Sequence, residues 1–499
     1  LQPQQPAAIQ PAPQSNAPAV AAPQQPATNP QAAAAAPAQI KLLKTQPEKG
    51  YSGDKFTLTG EGLPANKEIT LMWKTFDGSY VMKAMPETVE FHDRKFTEKR
   101  VPLGKATTDA QGKLSATFTV PEDFGEVHDI YGVLDGQDVA KAGYRLMRQV
   151  TISPKEGPVG TLITIKVTGL GAGLYDSTVA VRYDNKHTGF LSAVTTRGTT
   201  TAQIRAAGPV GKHIIDVSNA NKTVTYLNIQ QSPVAHIPQF QFSFNVTKDN
   251  GAPPDSVDFP EANNITLMGD AAPRTASSNA TAAPGVSAEL SLATGAILTK
   301  TTLKAKGLTP NVPAKMFWVS ARGNRVSPSG WNLIDMPLGE ANVAADGSLS
   351  ANLQIPDDLG GWHVVKLVQN NKVMTETPFF VERSLVSVTP KKVKVGETFT
   401  IVVKGIGWTE LDNTVAVTYD NAYVGYACGF NSNGDITLNL TATGTPGTHL
   451  IEFWPTIYQG QGKAPWLYQM PILSALVDAP GLALGYRLPI FRLAIEVVE

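Results

Sequence analysis

The sequence predicts an all-β chain of tandem β-sandwiches, arranged as two duplicated two-domain units behind a low-complexity N-terminal tether. Three observations carry this. Apolar and polar residues alternate over short runs, the period of a strand with one buried face. Glycine (43) and proline (37) punctuate those runs as tight turns require. Long stretches also occur twice: "PLGKATTDAQGKLSATFTVPEDFG" from Pro102 returns as "PLGEANVAADGSLSANLQIPDDLG" from Pro337.

The totals narrow the function classes. A chain of 499 residues is too long for one core. Lys+Arg and Asp+Glu are both 42, and the zero net charge argues against a phosphate-driven nucleic-acid binder, which normally shows a basic face. Cys428 is the single cysteine and forms no intrachain disulfide. No run approaches the roughly 20 apolar residues of a membrane span. The opening "LQPQQPAAIQPAPQ" reads as a mature end after removal of a signal peptide, so the chain is expected to be secreted, at the cell surface or periplasmic.

Residues 1–38 are nearly all Pro, Ala, Gln, Asn and Ser. They lack the apolar groups that offset ordering entropy and are expected as a disordered tether. Residues 39–148 form the first expected domain. In it Leu114, Ala116, Phe118 and Val120 share one face of a strand that a glycine turn opens and Pro121 stops. Residues 149–247 form the second, with a proline-led closing strand that puts Phe240, Phe242 and Phe244 on one face. Residues 248–285, polar and proline-rich, are expected as the linker between units.

Residues 286–382 repeat the first domain and 383–499 the second. The offset is 235 residues from Pro102 to Pro337 and from His128 to His363, and 236 from Tyr183 to Tyr419 and from His213 to His449. Trp73 pairs with Trp318, and the extra residues of the first copy fall in "MKAMPETVEFHDRKF", expected as a longer hairpin loop. The closing strands match at an offset of 251, "IPQFQFSFNV" with "LPIFRLAIEV".

The motif G-x-x-x-T-I-x-V-x-G-x-G, followed by V-x-Y-D-N and G-x-H, resembles the immunoglobulin-like repeats of bacterial and archaeal surface proteins, including the IPT/TIG type. The block G-x-L-S-A-x-x-x-[VI]-P-[ED]-D-x-G resembles another such module of the same proteins. The resemblance covers most of 39–247 and 286–475 and implies fold more than function. Turn chemistry agrees with it, since Asp184 with Asn185, and Asp420 with Asn421, stand between two alternating runs and suit a hairpin.

Candidate chemistry is sparse. His128, His363, His213 and His449 each stand alone in a strand, without a ligand spacing such as H-x-H, so packing and turn bonds are their expected roles. A Ca²⁺ site would need Asp176 and Asp184, or Asp412 and Asp420, to gather at one end of a sandwich. Without a D-x-D-x-D-G run they are expected as turn residues, like Glu122, Asp123, Asp357 and Asp358, and no cofactor is expected. "GLGAGL" from Gly169 opens no helix and its partner reads "GIGWTE", so it is no phosphate loop. With no G-x-S-x-G and no nucleophile motif around Cys428, the chain is not expected to be an enzyme.

Tryptophan is distributed unevenly. Of seven, only Trp73 lies in the first unit. Trp331, Trp362, Trp408, Trp454 and Trp466, with Tyr423 and Tyr426, are therefore candidate interface or ligand-stacking residues, against a bulkier core as the plainer account. The expected function is a non-enzymatic structural or assembly protein of an envelope, surface layer, filament or larger complex. Its expected partners are other envelope or extracellular proteins, including itself. The alternative is a carbohydrate-binding protein or adhesin that holds polysaccharide on those aromatics.

Overall fold

The computed structural model describes residues 40–85, 88–173, 175–261, 282–323, 331–458 and 469–499. The tether and residues 262–281 of the expected linker lie outside them. The described strands form eight sheets in four pairs, all on one plan.

The second pair shows the plan. Gln149–Ser153, Leu162–Thr168 and Thr200–Arg205 make a three-stranded antiparallel sheet. Facing it is a larger sheet in the order Glu156–Gly157, Phe240–Val246, Gly211–Asn221, Thr178–Tyr183, Lys186–Ser192. Ile163, Ile165 and Ile204 of the small sheet share a core with Val181, Ile215 and Phe244 of the large one. The opening segment serves both sheets: Gln149–Ser153 runs antiparallel in one, and Glu156–Gly157 runs parallel to the last strand in the other. Two antiparallel sheets in this order, around alternating inward residues, are an immunoglobulin-like sandwich.

The fourth pair repeats it, with Ser384–Thr389, Thr398–Lys404 and Ile436–Thr441 against Lys392–Lys394, Ile490–Val498, Gly447–Pro455, Thr414–Tyr419 and Ala422–Cys428. The first and third follow the same order around Trp73 and Trp318, both fully buried. The turns behave as their residues require. Asp184 and Asn185 take φ of 49° and 64°, and Asp420 and Asn421 take 47° and 60°, each pair closing a hairpin. Gly112 and Gly347 sit at φ 73° and 78°, where a Cβ would come within 2.2 and 2.8 Å of the carbonyls of Leu63 and Leu308.

Two features depart from the sequence reading. The residues expected as a longer loop in the first copy are a two-stranded arm, Glu68–Met85 paired with Thr88–Thr107. Tyr80, Met82, Val89 and Phe91 near its tip are buried in a cluster with Phe190 of the second sandwich and Leu411 and Ile472 of the second unit. An apolar hairpin face has to be covered, and here the rest of the chain covers it. Within the expected linker, Ser256–Asp258 is a short strand paired with Ile490–Arg492 on the edge of the fourth sandwich.

The two units are not strung end to end. Ile40–Glu499 forms one compact body. The large sheet of the fourth sandwich is apolar on both faces. Phe453, Phe491 and Leu493 point into its own core, while Leu450, Trp454, Ile490 and Ala494 join the core cluster of the second sandwich. Its outer face lies against the side formed by Thr200–Arg205 and Lys186–Ser192. There Arg492 Nη2 donates to the carbonyl of Gln203 at 3.0 Å, and Asn421 Nδ2 donates to that of Arg205 at 2.7 Å. These bonds cap the edge strand of the second sandwich's small sheet, whose carbonyls would otherwise need another partner. Among the described residues the only α-helix is the turn Pro480–Ala483, and no helix is long and apolar enough to cross a membrane.

Candidate functional site

The two units meet at a cleft of about 440 Å³ built from both copies of the Y-D-N and G-x-H motifs. Tyr183, Asp184, Gly208 and His213 line one side, and Asp420, Gly444 and His449 the other. Each histidine is bonded at both ring nitrogens. Nδ1 of His213 lies 2.6 Å from Asp184 Oδ2, and its Nε2 2.8 Å from the carbonyl of Pro209. His449 repeats this with Asp420 Oδ2 at 2.6 Å and the carbonyl of Thr445 at 2.8 Å. The other carboxylate oxygen of each aspartate accepts the next backbone N–H, from Ile214 at 2.8 Å and Leu450 at 2.9 Å. The histidine thus ties the hairpin turn to the turn at G-x-H. Gly208 and Gly444 leave room for its ring, since a Cβ there would come within 2.8 and 2.4 Å of the imidazole.

Burial pulls the His449 imidazole down, but its hydrogen bond to Asp420 and the charges of Asp420 and Asp249 outweigh this and leave it above its ordinary value. Asp249, from the segment after the first unit, accepts from the Thr448 N–H at 2.7 Å and the Thr448 hydroxyl at 2.8 Å. Burial raises its carboxyl, and those bonds more than offset the effect and hold it below the usual range. Asp176 and Asp412 stand elsewhere, at the junctions within each unit, beside the buried guanidinium groups of Arg148 and Arg383. Burial pushes Asp412 up to about 6. Among the described residues no group of three or more His, Cys, Asp or Glu could hold a metal ion.

His128 and His363 occupy matched positions in the first and third sandwiches. Each stacks on a tryptophan, His128 on Trp73 with centroids 4.3 Å apart and His363 on Trp318 at 4.5 Å. The indole N–H groups donate to Asp123 at 2.8 Å and Asp358 at 2.9 Å. These two aspartates, expected as turn residues, are core acceptors instead, with 1% and 0% exposure. A buried indole donor needs a partner, and the D-x-G turn supplies it.

The candidate stacking residues fare unevenly. Trp454 and Trp408 are enclosed by the chain itself. Trp454 fills the inter-unit contact and donates to Thr418 Oγ1 at 3.4 Å, while Trp408 packs edge-on to His363 at 5.1 Å. Neither offers a face for a ligand: Trp454 is covered where the first unit docks, and Trp408 by Ala321 and Leu359 of the third sandwich. Trp362 is half-buried against Phe380 at 5.1 Å. Tyr423 is half-buried, with its hydroxyl on the carbonyl of Gln469 at 2.6 Å. Trp331 is half-buried and Tyr426 is 44% exposed. Trp466 lies outside the described residues.

The residues that join the units were missed at the sequence level. Glu452 lies between Arg205 and Arg492, and Asp258 bonds Arg492 from the linker strand. Asp478 accepts from the hydroxyls of Tyr80, Ser192 and Thr195, so that three parts of the chain meet on one buried carboxylate. One signal was available: "HLIEFWP" and "PIFRLAIEVV" are apolar at odd and even positions, as a strand covered on two faces must be.

No protein-family model and no curated protein matches the chain. Among solved structures it is similar to the N-terminal eight Ig domains of Down Syndrome Cell Adhesion Molecule, at 13% identity and TM-score 0.20, covering 92% of this chain and 53% of that one. A tetra-tandem repeat from the extending region of a large adhesion protein matches at 10% identity and TM-score 0.19, covering 86% and 97%. The D1–D4 ectodomain fragment of ICAM-5 matches at 11% identity and TM-score 0.18, covering 92% and 100%. At such scores these likenesses carry no argument, and the fold rests on the strand order itself.

Proposed function

We propose that this chain is a non-enzymatic structural protein, secreted and built from IPT/TIG-type modules, that serves in a cell envelope, surface layer, filament or larger extracytoplasmic complex. One observation carries the reading. The histidines and aspartates that the duplication kept are engaged in turns and cores at matched positions of both copies: His213 with Asp184, His449 with Asp420, Trp73 with Asp123, Trp318 with Asp358. Groups tied up in this way hold shape and are not free to react. The arm and the inter-unit contact then set the four sandwiches at fixed spacing, which suits a scaffold. Fractionation of source cells, with protease treatment of the intact cells, tests the reading. The chain is expected in an envelope or extracellular fraction and accessible to the protease; a protected cytoplasmic pool would overturn it.

A second reading, binding of polysaccharide, is favoured by a row of rings on the second unit. Tyr426 lies 5.8 Å from Tyr458, Tyr458 6.2 Å from Phe430, and Phe430 6.3 Å from Trp331, and Tyr426 is exposed. Affinity electrophoresis in polysaccharide gels discriminates the two: retardation that is lost in Tyr426→Ala supports sugar binding, and unretarded migration in every polymer supports the scaffold alone.

A further inference from the structure

The closing strands of the two units are copies, yet their outer edges differ. In the second unit Ile490–Val498 is paired on that edge at both ends, with Lys392–Lys394 and with Ser256–Asp258. In the first unit Phe240–Val246 pairs there with Glu156–Gly157 only, over Asn245 and Val246. Among the described residues no strand pairs with Gln239–Ser243 on that side. The N–H of Asn245 donates to Lys155 and that of Thr247 to Gly157 across this edge. By strand alternation the N–H and C=O groups of Gln241 and Ser243 point the same way. Gln239, Gln241 and Ser243 are exposed. On the core face Phe240 and Phe242 are only half-buried, whereas their counterparts Phe491 and Leu493 have 0% exposure, with Val257 of the added strand opposite Phe491.

We propose that Gln239–Ser243 is a pairing edge for a second copy of this chain, two such edges meeting antiparallel about a two-fold axis at Gln241. The register is bounded. Glu156–Gly157 already occupies the edge at Asn245, which confines pairing to the residues before it. Centred on Gln241, the two copies exchange both backbone hydrogen bonds of that residue. Phe240 then lies opposite Phe242 of the second copy, so the half-buried rings become cross-strand aromatic pairs. The outward positions carry no charge and no proline, so a two-fold contact opposes no like charges and meets none of the devices that blunt an edge. The matched edge of the second unit shows that a closing strand of this kind accepts a neighbour there.

This deepens the assembly reading, and the two fail separately, since a monomeric chain would leave its cellular location unchanged. Sedimentation velocity of the intact chain between about 1 and 200 µM tests it, with Gln241→Pro and Gln241→Lys beside the parent. Proline at 241 removes an N–H that the in-chain ladder does not use, and lysine places like charges on the axis. The parent is expected to dimerise and both variants to do so at least about tenfold more weakly, while the dilute chain stays folded and loses only the Gln241 Nε2 bond to Asp216. In a Cys428→Ser background, Gln241→Cys is expected to give a disulfide-linked dimer on oxidation. A parent that stays monomeric throughout overturns the proposal. So does a dimer that neither variant weakens, or one that does not cross-link at 241. A monomeric parent that instead captures a peptide of sequence PDSVDFP would assign the edge to a different occupant and likewise overturn it.

Discussion

Arg205 of the second sandwich donates its Nε to Glu452 of the fourth at 3.0 Å, the two side chains only 4% and 3% exposed. Arg492 bonds the same carboxylate oxygen from the other side, and Arg205 Nη2 reaches the carbonyl of Leu493 at 2.6 Å. Glu452 thus bridges two buried guanidinium groups from opposite units, and Asp258, bonded to Arg492, supplies the second negative charge. The arrangement is worth little relative to apolar packing, but half of it is worth much less than none.

Glu452→Ala should therefore destabilise the chain by about 3–5 kcal/mol, because it strands the Arg205 cation at the inter-unit contact and leaves Arg492 with Asp258 alone. Replacing Arg205, Glu452 and Arg492 together by Met, Leu and Met should cost far less. Urea denaturation of the three proteins checks this; a loss below about 1 kcal/mol for Glu452→Ala would show the triad to be solvated.

Stability should fall as pH rises through the folded-state value of His449. That value lies above the ordinary one near 6.5, so the native state holds the proton more tightly than the unfolded chain. The contribution is complete below the unfolded value and is lost as pH climbs past the folded one. The groups facing the ring are Asp420, Asp249, Tyr419 and the carbonyl of Thr445. Denaturation midpoints from pH 5.5 to 9 should decline, and His449→Gln should flatten the decline; identical slopes would refute the assignment.

The arm is seated through Gly78. A Cβ there would come within 2.0 Å of the carbonyl of Val194 in the second sandwich. Gly78→Ala should push the arm off its seat at a cost of about 1–3 kcal/mol and expose Tyr80 and Phe91. Hydrogen exchange should rise along residues 78–94 while the first sandwich's core stays protected.

Trp73→Phe and Trp318→Phe should each leave a buried carboxylate without its indole donor, at about 1–3 kcal/mol beyond the smaller ring. The two costs should be similar, since the Trp–His–Asp geometry is the same in both copies. Asp358→Asn should restore part of the Trp318→Phe loss and little in the parent; thermal melts of the set decide it.

What the sequence determined by itself was the strand periodicity, the hairpin turns and the repeat offset, though not the arm at Glu68–Thr107 or the buried roles of Asp123 and Asp358. Alternation placed strands such as Leu114–Thr119, the Asp184–Asn185 and Asp420–Asn421 pairs placed hairpins, and the 235–236 residue offset placed Trp73, His128 and His213 at the same points as Trp318, His363 and His449. Those signals are legible because a strand's period and a turn's φ are set by neighbours within a few residues. Only the tertiary structure decided which outward faces would be covered and by what. The surplus of aromatic residues in the second unit left surface and core both open, with core the plainer account, and the structure buried Trp408 and Trp454 while leaving Tyr426 outside. A strand that is apolar on two faces announces that something will cover it. The identity of the cover depends on contacts hundreds of residues apart, such as Arg205 with Glu452 or Tyr80 with Asp478, and no local pattern encodes those.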